Sequence, residues 1–399
     1  MSRPAPMALG LAVTLAIQAM VSMALLTLPV MGPEVARALS APTGLLGVYV
    51  ALAYLGAMAA SVIGGAAVAR LGAVRISQLG LLLCAAGLLL SALPWLPAMG
   101  LGALLIGLGY GPATPASSHL LARSTPPHRV SLVFSIKQTG VPVGGLLAGA
   151  VVPGMALALG WQAALLLVAA ACVLCALLAQ TVRAAFDADR DRSLPLVPTQ
   201  VTQPVRLVLG HPALRQLALC SFFFSIIQLS LTTYLVTYLH ESVGYSLVAA
   251  GLALSVAQGA GVAGRIGWGW VADRWLDARR TLILLAALMV LGCAAVAALS
   301  AALPLPLVLG ALLLFGASAI GWNGVYLSEV ARQAPPGMAS VATGGTLFIT
   351  FSGVVTGPAL FGVLASLSGG YRLAYAMLAL PALACALLLR RGSPVSERS

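Results

Sequence analysis

Apolar runs of about twenty or more residues recur from one end of this chain to the other, each closed by a short polar or glycine- and proline-containing break. They fall at about residues 7 to 31, 43 to 69, 74 to 95, 98 to 121, 130 to 156, 160 to 182, 212 to 240, 246 to 272, 280 to 301, 305 to 331, 338 to 365 and 370 to 391. Each is long enough to cross the roughly 30 Å hydrocarbon core of a bilayer as a helix. None has the sustained alternation of a membrane barrel strand, and a spanning helix satisfies its own backbone hydrogen bonds. The pattern therefore predicts an all-α membrane protein with twelve transmembrane helices. The first run follows only MSRPAP, exceeds a signal-peptide core and lacks a clear cleavage site before the second run, so it is expected to be retained.

One long polar stretch interrupts the pattern, RAAFDADRDRSLPLVPTQVTQPVR. It divides the chain into an N-terminal bundle (1–182), a cytoplasmic linker (183–211) and a C-terminal bundle (212–399). The bundles echo one another at an offset near 209 residues: LLARSTPPHR answers VARQAPPGMA, and GWQAA at Gly160 answers GYRLA at Gly370. A parallel duplication of six spans places a substrate site between the halves, near the midplane.

Composition agrees with a lipid-embedded chain, at 60% hydrophobic and 8% charged residues. The formal charge of +12 suggests nucleic acid until its distribution is read. With both ends inside, seventeen of the 21 basic residues fall in cytoplasmic segments, and only Arg37 and Arg372 fall outside. This is the positive-inside rule. It predicts a multi-pass protein of the inner (plasma) membrane with cytoplasmic N- and C-termini, and no nucleic-acid partner. The six cysteines lie in apolar runs without a metal-ligand spacing, and the Cys172–Cys175 pair is assigned no chemistry. No phosphate-cradling or HExxH motif occurs, so no enzyme activity, metal or cofactor is expected.

Two cations remain, both inside spans: Lys137, the sole lysine, and Arg265. A charge near the bilayer centre costs roughly 2.5 to 3.5 kcal/mol on insertion scales and marks a substrate or ion pathway. Each lies about seven residues from the cytoplasmic end of its helix, and with a rise of about 1.5 Å per residue both reach a depth of about 10 Å. No acid lies deep in any span, so the partner expected for the pair is a small anion from outside the protein. Lys137 snorkelling to the headgroups, and Glu329 serving as an internal partner, are the competing readings; Glu329 is expected at the cytoplasmic rim near Arg332. Polar candidates for the cavity wall are Gln18, Tyr49, Tyr54, Gln138, Gln228, Thr232, Tyr234, Gln258 and Asn323. His119 reads as a packed neutral imidazole sooner than a proton relay.

Over essentially its whole length the sequence resembles the major facilitator superfamily. GGAAVARLGAVR (Gly64–Arg75) is similar to that family's loop between helices two and three, and GRIGWGWVADRWLDARR (Gly264–Arg280) is similar to its copy in the second half. The resemblance implies gating roles for Asp273, Arg274, Arg70 and Arg75; Ala69 stands where the first loop's acid is expected. Arg265, Gly269 and Asp273 also keep the eighth-helix spacing of the monocarboxylate and oxalate/formate exchanger branches, where the arginine binds substrate carboxylate. The chain departs from those branches in having Gly261, Gln18 and Thr346 at their other charged positions. By the repeat offset Lys137 corresponds to Thr346, so the lysine has moved to the fifth helix. GVPVGG on that helix resembles, weakly, a motif of drug/proton antiporters. The expectation is a monomeric secondary active transporter for a small organic anion, a mono- or dicarboxylate, coupled to protons or a counter-anion. A drug/proton antiporter is the alternative.

Overall fold

The computed structural model describes residues 7–126, 130–194, 202–335 and 338–391; Arg3, Arg129 and Arg398 of the basic set, and Pro127 and Pro336 of the repeated motif, lie outside them. No strand occurs among the described residues. Twelve helical spans follow in order: α1 (Met7–Val30), α2 (Leu45–Leu71), α3 (Ala73–Ser91), α4 (Leu96–Tyr110 continued by Ala113–Ser124), α5 (Val130–Gln138 continued by Gly140–Leu159), α6 (Trp161–Ala179), α7 (Pro212–Tyr238), α8 (Leu247–Arg274), α9 (Ala278–Ala297), α10 (Leu305–Ala319 continued by Asn323–Gln333), α11 (Ala339–Leu367) and α12 (Tyr371–Met377 continued by Ala379–Arg391). Eleven are long and apolar enough to cross a membrane, and α2, bent by 56° near Ser61, makes the twelfth. Short helices also occupy Gly32–Ala38, Arg183–Phe186 and Gln203–Gly210, so the segment read as a polar linker is partly helical.

The breaks follow from local chemistry. Pro112 ends the first piece of α4 at GYGP, because proline lacks an N–H and its ring crowds the carbonyl four residues back. On α5 the chain breaks at Thr139, and Pro142 leaves the Gln138 carbonyl without a helical donor. On α10 the turn at Ile320–Trp322 likewise interrupts the ladder at the Ile320 carbonyl.

α1–α6 form one bundle and α7–α12 the other. With no hydrophobic drive between helices in lipid, close backbone approach decides the packing. A Cβ on Gly107 of α4 would stand 1.7 Å from the Ala53 carbonyl oxygen of α2, so only glycine fits.

The two bundles touch through α5 against α8 and α2 against α11. Twelve crossings put Met7 and Arg391 on one side of the bundle, called here the terminal face. Contacts between the bundles concentrate toward the opposite face. There a Cβ on Gly149 would lie 2.5 Å from the Gly251 carbonyl oxygen, and one on Gly47 2.2 Å from that of Pro358. Ser255 of α8 donates to the Leu146 carbonyl of α5 at 2.8 Å. Tyr234 seals the contact: its hydroxyl accepts the Gly47 N–H at 2.7 Å and donates to the Gly44 carbonyl at 2.9 Å. Thr43 adds a hydroxyl contact with Tyr371 at 2.7 Å. These contacts close the bundles against each other on the opposite face.

Candidate functional site

The two broken helices prepare the centre. Arg265, 6% exposed on α8, donates from Nη1 to the Gln138 carbonyl of α5 at 2.5 Å and from Nε to the Ile320 carbonyl of α10 at 3.1 Å. Both acceptors stand at the helix breaks, so one guanidinium joins a gap in each bundle. Lys137 is 1% exposed and directs Nζ to the Ser118 hydroxyl at 2.9 Å and the Thr114 carbonyl at 3.2 Å, both on α4, with the Phe134 ring 5.8 Å away. It is thus held within its own bundle rather than extended to a headgroup surface. Among the described residues neither cation makes an ion pair. Glu329 pairs instead with Arg332 at 2.6 Å.

Tyr54 and Tyr110 complete the surroundings of Arg265. Their rings meet edge to face at 5.7 Å, both lie in electrostatic range of the guanidinium, and Phe351 of α11 covers Tyr54 at 6.1 Å. Gln18 on α1 is 1% exposed, lies against Gly140, and has no hydrogen-bond partner for either side-chain polar atom among the described residues. An unpaired buried amide costs roughly 1 to 3 kcal/mol per group. Gln258 of α8 lies across the bundle boundary against Gly145. Gln138, Arg265, Tyr54, Gln18 and Gln258 therefore lie around this junction of the bundles, while Lys137 turns to α4.

Other candidates lie elsewhere. The Tyr49 hydroxyl is 3.4 Å from that of Ser91, between α2 and α3. The Gln228 carbonyl oxygen accepts from Trp322 at 2.9 Å and Asn323 at 3.3 Å, a network within the second bundle. The Tyr234 hydroxyl lies in the opposite-face contact described above, bonded to Gly47 and Gly44 of the other bundle. His119 is not packed in the membrane interior: its Nε2 meets Asp189 at 2.7 Å, facing the linker. Of the loop residues, Arg70 donates to the Leu194 carbonyl at 2.9 Å and the Arg75 N–H donates to Asp187 at 3.0 Å. Asp273 and Arg274 are exposed and make no ion pair among the described residues. Tyr110, Thr43 and Asp187 were not singled out from sequence; only Tyr110, inside the conspicuous GYGP break, carried a local signal.

Two six-helix membrane bundles thus meet around a buried polar centre. By sequence the chain matches the Major Facilitator Superfamily over residues 9–355, and it belongs to that superfamily. It is a secondary transporter and not an enzyme. No curated protein matches it by sequence at a significant level. Among solved structures it is similar to a bacterial homolog of the human lysosomal transporter Spinster in an inward-facing and occupied conformation, at 16% identity and a TM-score of 0.74, over 98% of this chain and 96% of that one. It is also similar to the peptide transporter POT in complex with sulfate, at 17% identity and a TM-score of 0.77, over 96% and 93% of the two chains. A variant of the nucleoside transporter NupG gives 17% identity and a TM-score of 0.73, over 95% and 99%.

Proposed function

We propose that this transporter moves a small organic anion, a mono- or dicarboxylate, and that Arg265 binds the carboxylate. The observation that carries this reading is a buried guanidinium whose acceptors are two neutral carbonyls, with no carboxylate beside it among the described residues. A carboxylate offers a planar, bidentate, charge-assisted match stronger than a peptide carbonyl. Lys137, one residue before Gln138, adds positive charge, while Tyr54, Gln18 and Gln258 offer neutral polar contacts. A cationic drug would find no central acid among the described residues, which disfavours the antiporter alternative. The arginine-rich terminal face is assigned to the cytoplasm of an inner membrane, so the opposite-face contacts become the outer closure of a monomer.

The same geometry favours exchange with a counter-anion over net movement. The exchange reading takes the bond from Arg265 to the Gln138 carbonyl, which joins the bundles, to break in transit, and the empty transporter has nothing to replace it. A bound anion supplies the replacement. Hydrogen bonds to charged groups contribute about 1.5 to 3 kcal/mol, so loaded transit should be about ten- to a hundredfold faster than empty return. Proteoliposomes preloaded with unlabelled lactate or succinate, and then given the labelled acid outside, should fill at least about tenfold faster than empty ones. Equal rates, with a pH gradient driving accumulation, would instead mean proton symport.

A further inference from the structure

The helices that follow the two related loops begin in different ways. In the second bundle α9 is capped by its own loop: the Asp277 carboxylate accepts the Arg280 N–H at 2.6 Å. In the first bundle α3 begins after Gly72, which has no side chain to cap with and holds φ at +98°. The first-turn N–H groups of a helix have no partner within it and carry partial positive charge. In α3 two of them are taken by a residue more than a hundred positions away. Asp187 accepts the Val74 N–H through Oδ1 at 2.8 Å and the Arg75 N–H through Oδ2 at 3.0 Å. A Cβ on Gly72 would lie 2.2 Å from the Asp187 carboxyl carbon, so the glycine also makes the room.

Asp187 does not come alone. Phe186 is buried against α1, beside Gly10. Asp189 meets His119 on α4 at 2.7 Å, the Asp191 N–H donates to the Ala69 carbonyl at 2.9 Å, and the Leu194 carbonyl accepts from Arg70. Arg183 stands 3.7 Å from the Asp187 carboxylate. Burial raises the Asp187 carboxyl above the ordinary aspartate range, against the two amides and Arg183, which favour the charge.

We infer that Phe186–Leu194 is a strap that supplies from the linker the cap α3 cannot make for itself, with Asp187 as its positioning residue. The order of the α2–α3 turn then depends on the linker being docked, whereas the corresponding turn of the second bundle is self-sufficient. The strap also makes the beginning of the linker a rigid part of the first bundle.

Hydrogen exchange on the intact protein in nanodiscs, with no ligand needed, tests this. Asp187→Ala should speed exchange about tenfold in two places together, the start of α3 at residues 73–76 and the strap at residues 186–194, and leave the start of α9 unchanged. His119→Ala should speed exchange in the strap beyond Asp187 only. If Asp187→Ala loosens α3 while the strap stays protected, or changes neither, the inference fails. Should Asp187→Ala not fold, the double variant Ala69→Cys, Asp191→Cys gives an independent reading. Strands already joined by a backbone hydrogen bond should crosslink nearly completely under mild oxidation and leave exchange at the start of α3 no faster. Failure to crosslink overturns the docking.

Discussion

Arg265→Ala is expected to weaken carboxylate binding by at least about a hundredfold, the factor that corresponds to losing a buried charged partner worth roughly 3 kcal/mol or more. No other guanidinium or acid lies at the centre to take its place among the described residues. The same substitution leaves the Gln138 and Ile320 carbonyls without their donor, so some loss of thermal stability should accompany it. Arg265→Lys separates the two roles: a lysine keeps the charge but cannot span two carbonyls and then grip a carboxylate in two places. It should restore part of the binding and little of the bridging. Lys137→Ala should cost less than Arg265→Ala, because Lys137 is anchored to Thr114 and Ser118 of its own bundle. Isothermal titration of the purified variants with lactate and succinate reads all three. An Arg265→Ala protein that is folded and binds carboxylates as well as the wild type would remove the arginine from the site.

Gly47→Ala should have the second large effect, on conformation and not on binding. The added methyl would lie 2.2 Å from the Pro358 carbonyl oxygen and 2.5 Å from the Tyr234 hydroxyl, both pinned by neighbouring structure. The backbone of α11 at a proline has little freedom to retreat, so closure of the opposite face becomes strained. Overpacking of this kind costs about 1 to 3 kcal/mol, which shifts the population toward the open opposite face by about five- to a hundredfold. Transport should fall at least about fivefold. Spin labels at Leu45 and Leu367, which flank the α2–α11 contact, should move apart. Gly65→Ala, where a methyl meets nothing within 4 Å, is the matched control and should leave both readings unchanged. An unchanged distance distribution in Gly47→Ala would mean that the α2–α11 contact does not set the state.

The spans were legible in the sequence because lipid leaves few options: a segment that crosses it must be apolar for about twenty residues and helical throughout. Lys137 and Arg265 were legible for the same reason, as exceptions in that solvent. Their partners were not. The Gln138 carbonyl becomes an acceptor only because Pro142 withholds a donor, and Ile320 only because α10 turns there; neither fact points to Arg265 until the helices are packed. Tyr234 read as a cavity residue because sequence gives its depth but not which neighbour it meets, and Gly44 and Gly47 lie in the other bundle. His119 sits near a helix end that periodicity places poorly, so its pairing with Asp189 was hidden. Asp187 was invisible as a cap, since local cap signals look a few residues away and this one lies across the bundle. The absent acid at Ala69 was a visible gap whose structural surroundings only packing could reveal.

The nature of the cargo is best tested by a thermal-shift screen of the purified wild-type protein against lactate, succinate and oxalate beside a sugar, a nucleoside, a dipeptide and a cationic dye, with Arg265→Ala in parallel. A ligand at a hundred times its dissociation constant stabilises by about 2.7 kcal/mol, enough to read as a shift of a few degrees. The expected result is stabilisation by one or more carboxylates, lost in Arg265→Ala, with none from the neutral or cationic compounds. Stabilisation by the cationic dye or a neutral solute that persists without Arg265, and none from any carboxylate, would contradict an anion transporter.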